Sequence, residues 1–255
     1  MVNPIRYPIT ILVLSFVAMW LAAQIGNFIR KRQTNLEEAE QQERDFIVTA
    51  TLTLLALIVG FSFSMAIGRY DMRKNYEEAE ANAIGTEYVR AGLLPADDAA
   101  RVQAMLKDYL DARVLFYITG DEQKLQQVNA HTAQLQSDLW SVVKTPANAQ
   151  PTPVMALAVS GMNDVLNSQG YTQAAWWNRI PIGAWYLMLA MAICSNLLVG
   201  YSARGSQSGL TRLHVLPIVL CIAFFFIADL DSPRKGIIRV VPQNLISLAV
   251  SLHGQ

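Results

Sequence analysis

The stretch FIVTATLTLLALIVGFSFSMAIG, Phe46 to Gly68, runs for 23 residues without a charged side chain. A helix rises about 1.5 Å per residue and a hydrocarbon core is about 30 Å thick, so this run is long enough to cross a bilayer. The helical pattern does not stop at the membrane edge. Arg69 to Ala91 continues with good helix formers and sets opposite charges four apart, Arg73 with Glu77 and Lys74 with Glu78. One helix of about 45 residues is predicted, half in lipid and half in water.

Working outward, Ile9 to Ile29 forms another uncharged run, preceded by Arg6. A cleaved signal peptide is the competing reading. The run is long for that, and it ends in Gln24-Ile-Gly-Asn27 followed by Arg30-Lys31-Arg32, a stop-transfer pattern that favours a retained helix. A third run, Ile180 to Tyr201, follows Trp176-Trp177 and Arg179, which read as an interfacial anchor. The fourth, Val215 to Ala228, is short for a span, and a buried core helix is the alternative. Its pairing with the third run through a polar loop favours a hairpin with flanks from 213 to 230.

The expected fold is therefore an all-α membrane protein with four transmembrane helices in two hairpins and a helical middle domain. Residues 1–68 form the first hairpin (spans 9–29 and 46–68) and 69–179 the soluble domain. Residues 180–230 form the second hairpin (spans 180–201 and 213–230), and 231–255 a tail with Leu245, Leu248, Ala249 and Leu252 on one face. Composition agrees: 53% of the 255 residues are hydrophobic and only 16% charged, against about 25% charged in soluble domains. The zero net charge gives no reason to expect nucleic-acid binding. Cys194 and Cys221 both fall in apolar runs and read as packing residues.

In the middle domain, Asp97 or Asp98 is the expected cap of a helix. That helix carries Val102, Met105, Leu106, Tyr109, Leu110, Arg113, Phe116 and Tyr117 at helical spacing and closes at Gly120. Asp121 caps the next, with Leu125, Val128, Leu135, Leu139 and Val142 on one stripe. Thr145 to Pro153, with its three prolines, reads as a loop, and Thr152-Pro153 opens a helix to about Ser168.

No catalytic constellation emerges. His131, His214 and His253 lie in separate segments without metal-ligand spacing, so no metal, cofactor or enzyme activity is expected. The acidic run Glu77, Glu78, Glu80 reads as a solvated helix face. On the second span, Gly60, Ser64 and Gly68 form a small-residue ridge suited to close helix packing. Thr53, Leu57 and Phe61 make a separate stripe about 60° round from it. Such a stripe, repeated around an oligomer axis, would gate ions by dewetting, while lipid or core contact is the plainer alternative. Basic residues do not settle orientation. Arg6, Arg69, Arg73, Lys74, Arg179, Arg234, Lys235 and Arg239 flank one face, and Arg30, Lys31, Arg32, Arg44, Arg204 and Arg212 the other.

Three segments carry a resemblance. They are Gly60-Phe-Ser-Phe-Ser-Met-Ala-Ile-Gly-Arg69-Tyr70-Asp71, the stretch from Glu80 to Pro95, and Leu230-Asp-Ser-Pro-Arg-Lys-Gly-Ile-Ile-Arg239. Together they resemble the bestrophin-like domain family of bacterial membrane proteins, named for a weaker similarity to bestrophins, pentameric anion channels. The resemblance implies an apolar neck on the second span. Phe61 and Arg69-Tyr70 reproduce the bestrophin spacing, which places Thr53, Leu57 and Phe61 at three neck levels, and Asp231-Ser232-Pro233 matches the acidic-Pro element after the last span. Two departures stand out: Thr53 is polar where the neck is usually apolar, and the bestrophin tryptophan pair is missing. The resemblance further implies a homo-oligomer, a pentamer, in the bacterial inner membrane, with the middle domain and both termini cytoplasmic. Small anions would be its cargo, gathered by Arg69 and Arg73. A rival reading takes the helical middle, from Tyr109 to Glu122 onward, as similar to extracytoplasmic four-helix sensor domains, which would make the protein a membrane-bound sensor or scaffold without conduction.

Overall fold

The computed structural model describes residues 8–32, 38–202 and 207–254. Arg6 and Arg204 lie outside them, as does the side chain of Arg212. The described residues form α1 (Pro8–Arg32), α2 (Glu38–Arg90), a 3₁₀ turn (Ala91–Leu93), α3 (Ala96–Ile118), α4 (Glu122–Ala149), α5 (Pro153–Trp177), α6 (Ile182–Ser202), α7 (Gln207–Asp231) and α8 (Gln243–His253), with no strand among them. Four helices are long and apolar enough to cross a membrane: α1, the first part of α2, α6 and α7. The protein is an all-α, multi-pass membrane protein. The long second helix is continuous over 53 residues.

The chain divides into two compact units, one of Met1–Arg69 with Arg179–Ile238 and one of Tyr70–Asn178 with Arg239–Gln255. In the first, α1 packs against α6 through small residues. A Cβ on Gly26 would collide with the Leu197 carbonyl and reach 2.8 Å from the Tyr201 nitrogen, and one on Gly200 would collide with the Ala23 carbonyl. Met19, Ala22, Ala23 and Gly26 on α1 and Met188, Ala192, Asn196 and Gly200 on α6 are buried at three- and four-residue spacing. In lipid, where apolar side chains gain nothing by meeting each other, this close backbone approach supplies the packing. The opposite face of α1 exposes Ile9, Val13, Val17, Leu21 and Phe28, an apolar surface suited to hydrocarbon.

In the second unit the helix boundaries follow local chemistry. Asp121 accepts from the backbone N–H of Gln123 (2.7 Å) and Lys124 (3.1 Å) and so caps α4. Those two donors hold its carboxyl below the usual carboxylate range. Thr152 Oγ1 accepts from the Met155 N–H at 3.2 Å and caps α5, with Pro153 in its first turn. Thr152→Ala is expected to cost about 1 kcal/mol, read as a lowered unfolding temperature. Asp97 and Asp98 do not cap α3. Pro95 occupies the cap position, and the two carboxylates lie in the first turn, where they complement the helix dipole.

Two expectations for this unit are corrected. The segment from Thr145 is no loop, because α4 runs through Pro146 to Ala149. Pro146, Val142 and Val143 are all buried, and that packing offsets the cost of an interior proline, about 3 kcal/mol. Likewise α5 continues past Ser168 to Trp177, because Thr172, Ala175 and Trp176 are buried along its last turns.

The acidic run is not a solvated face either. Glu78 is exposed, but Glu77 and Glu80 are 2% and 0% exposed. Glu77 caps α8: its Oε1 accepts from the Leu245 N–H at 2.9 Å and its Oε2 from Asn244 Nδ2 at 2.6 Å. Glu80 takes Arg113 from α3, with the Tyr117 hydroxyl at 3.4 Å and Thr172 Oγ1 at 3.0 Å. Phe116, Tyr117 and Trp176 close over the pair in edge-to-face contacts with centroids 5.0–5.5 Å apart. Charges sit on these buried positions because each finds a partner there.

Candidate functional site

The exposed stripe of α2 is the strongest candidate. Thr53, Leu57 and Phe61 lie four residues apart on one helix face, so they share a line along it. All three are uncovered within the chain, with Leu57 54% and Phe61 66% exposed. Leu55, Ser62 and Ala66 form the covered side instead. In its most apolar window, α2 has 11% of its residues buried, against 50% for α7. A helix this uncovered takes its contacts from lipid or from further protein.

Thr53 is less polar than its name suggests. Its Oγ1 donates to the Thr49 carbonyl at 2.9 Å, and Thr49 and Thr51 donate in the same way to Asp45 and Ile47 at 2.8 and 2.7 Å. Back-bonding of this kind spends the hydroxyl proton inside the helix. The residue then presents its methyl group alongside Leu57 and Phe61. That removes much of the objection to a threonine at one level of an apolar stripe.

Gly60, Ser64 and Gly68 are exposed too, and a Cβ built on either glycine would meet nothing within 4 Å. No neighbour among the described residues packs against the two glycines of this ridge. The close-packing glycines of the first unit are Gly26 and Gly200 instead, and Gly26 ends a small-residue repeat of its own, Ala18, Ala22, Gly26. Arg69 sits two turns beyond Phe61 with Nη2 3.8 Å from Met65 Sδ. Arg73 is 1% exposed, and its Nε and Nη2 donate to the carbonyls of Ala175 (3.2 Å) and Asn178 (3.3 Å), where they close the C-terminus of α5.

After α7 the chain is held by two buried carboxylates. Asp229 Oδ1 and Oδ2 accept from the N–H groups of Ile237 (2.6 Å) and Ile238 (2.8 Å), and Asp231 Oδ1 accepts from the N–H of Ile180 at 2.9 Å. Gly236 is required in this loop, because a Cβ there would lie 2.6 Å from the Asp229 carbonyl. Among the described residues, no group of three His, Cys, Asp or Glu side chains is placed to hold a metal ion.

The family model described as Bestrophin-like domain matches residues 9–245, across both hairpins and the middle unit. The chain belongs to the bestrophin-like family. Its fold is shared with a crystal structure of a bacterial bestrophin homologue from Klebsiella pneumoniae, at 12% identity and TM-score 0.68, covering 97% of this chain and 98% of that one. A point-substituted form of the same homologue aligns at 13% identity and TM-score 0.66, over 97% and 99% of the two chains. No curated protein matches the chain. At such identity the structural likeness carries the fold, and the bestrophin-like stripe on α2 has to be judged by its own chemistry.

Proposed function

We propose that this bestrophin-like protein is a homo-oligomeric channel, a pentamer, for small anions, with Thr53, Leu57 and Phe61 of α2 forming an apolar neck. The exposed line of these three side chains on the least covered span supports this reading. An apolar constriction passes ions that shed water easily and holds back those that do not, which favours large, weakly hydrated anions. Arg69 at the end of the stripe, and the field of the buried Arg73, raise the local concentration of anions. Gly60, Ser64 and Gly68, open within one chain, become the surface on which neighbouring copies of α2 pack. The middle unit and both termini face the cytoplasm, and the protein resides in the inner membrane.

Purified protein in planar bilayers tests this. Anion-selective conductance is expected, and Phe61→Ala or Leu57→Ala should enlarge it several-fold by removing the dewetting barrier. A well-folded oligomer that conducts nothing overturns the channel and leaves the sensor or scaffold reading.

A further inference from the structure

Glu87 lies on α2 in the second unit and is fully buried, and neither of its carboxylate oxygens has a hydrogen-bond partner among the described residues. Its contrast with Glu77 and Glu80 on the same helix is informative, because each of those carboxylates is met by two or more donors. A buried carboxylate left unmet is costly when ionised and is stable only when it carries a proton. The carboxyl rests on the bare backbone of α5. A Cβ on Gly161 would collide with Glu87 Oε2 and lie 2.8 Å from Arg90 Nη1 and 3.0 Å from Arg90 Cδ. The two head groups therefore converge on one glycine. Arg90 Nη1 is also 3.8 Å from Asp164 Oδ2 on α5, where Arg90 is 33% and Asp164 65% exposed.

We propose that Glu87 is a proton-binding site that works as a latch on Arg90. Protonated, it leaves Arg90 to Asp164 of α5; ionised, it draws Arg90 onto itself and releases Asp164. The charged surroundings are few. α5 carries only two titratable groups, Asp164 and Tyr171, and Tyr171 is stacked on Tyr76. The adjoining 3₁₀ turn, Ala91–Leu93, carries none. On α2 itself Glu80 is committed to Arg113, and α3 brings Lys107 to the Tyr88 ring, 5.8 Å from its centroid, while Arg90 is the cation that meets Glu87 at Gly161. Burial pushes the Glu87 carboxyl up to about 8, with Arg90 opposing and Asp164 adding to the rise. The folded protein therefore holds this proton where the unfolded chain has lost it. Stability is fully present below about 4.5, falls as pH rises, and levels off above about 8.

The test is a set of unfolding temperatures for the purified full-length protein between about pH 5 and about pH 9, for the wild type, Glu87→Gln and Asp164→Asn. Glu87→Gln keeps the neutral shape of the protonated acid. The wild type is expected to match it at the acid end and to lose stability relative to it as pH rises. Asp164→Asn removes the competing partner of Arg90 and one acidic neighbour, so the wild-type midpoint should move to lower pH. Equal pH slopes in the wild type and Glu87→Gln overturn the proton site. An unmoved midpoint in Asp164→Asn overturns the latch, and that comparison stands even where Glu87→Gln does not fold.

Discussion

Replacing Arg113 by methionine is expected to destabilise the protein by about 3–5 kcal/mol, because it strands a buried carboxylate. Arg113 and Glu80 are both fully buried, and the guanidinium meets both carboxylate oxygens, through Nε at Oε1 and Nη2 at Oε2. Burial works most strongly against the charge on Arg113, but Glu80 together with Tyr109 and Tyr117 outweighs it and holds the guanidinium pKa above its ordinary value. Burial, with Glu80 adding to it, raises Tyr109 and Tyr117 as well, so both phenols stay neutral, Tyr117 donating to Glu80 and Tyr109 accepting from Gln136 Nε2. Thr172 and Tyr117 supply two further hydrogen bonds to Glu80, yet neither brings a positive charge. The double variant Arg113→Met with Glu80→Leu should recover much of the loss, because an apolar pair of similar volume often equals a buried ion pair. Thermal unfolding of the single and double variants in detergent checks both statements. A single variant as stable as the wild type would mean that the pair contributes nothing.

Gly26→Val is expected to have the other large effect, a loss of folded protein from the membrane. The obstacle is backbone, the carbonyl of Leu197 and the nitrogen of Tyr201, so no side-chain rotation relieves it and α1 must move off α6. Overpacking usually costs about 1–3 kcal/mol, and a collision with fixed backbone lies at or beyond the upper end. The measurement is the yield of monodisperse protein after extraction. Gly60→Val is the informative contrast, since nothing among the described residues lies within 4 Å of a Cβ at that position. It should leave the fold intact and change only the assembled state. A Gly60→Val protein that fails to fold as a single chain would count against an open ridge.

The spans were legible because lipid imposes a simple demand. Every backbone group must be satisfied within the segment, so an uncharged run of sufficient length has to be a helix. The continuation of α2 past Arg69 was equally legible from the good helix formers that follow it. Even the caps of α4 and α5 were readable at Asp121 and Thr152, since capping depends on neighbouring residues alone.

What misled was the assumption that charge means exposure. The acidic run of Glu77, Glu78 and Glu80 reads as a solvated helix face and Arg73 as a charge that gathers anions, but partners of Glu77, Glu80 and Arg73 come from α8, α3, α5 and the residue just after α5, at 33 to 168 residues' separation. No local pattern encodes such a meeting. Arg113 offered the one hint, a charge at a position that helical spacing assigns to the buried stripe of α3. Pro146 misled in the opposite sense, because only the packing of Val142 and Val143 beside it explains why α4 tolerates an interior proline.

The sequence by itself determined the all-α class, the four runs long and apolar enough to cross a membrane, and the line of Thr53, Leu57 and Phe61 along α2, because each depends on residue type and helical periodicity. Only the tertiary structure decided which glycines carry helix contact, which carboxylates are buried, and that Glu87 alone among the described buried acids of α2 has no donor. Those properties depend on which distant segments arrive beside a given side chain, and burial turns the same carboxyl group into a cap, half of an ion pair, or a proton site according to what it meets there.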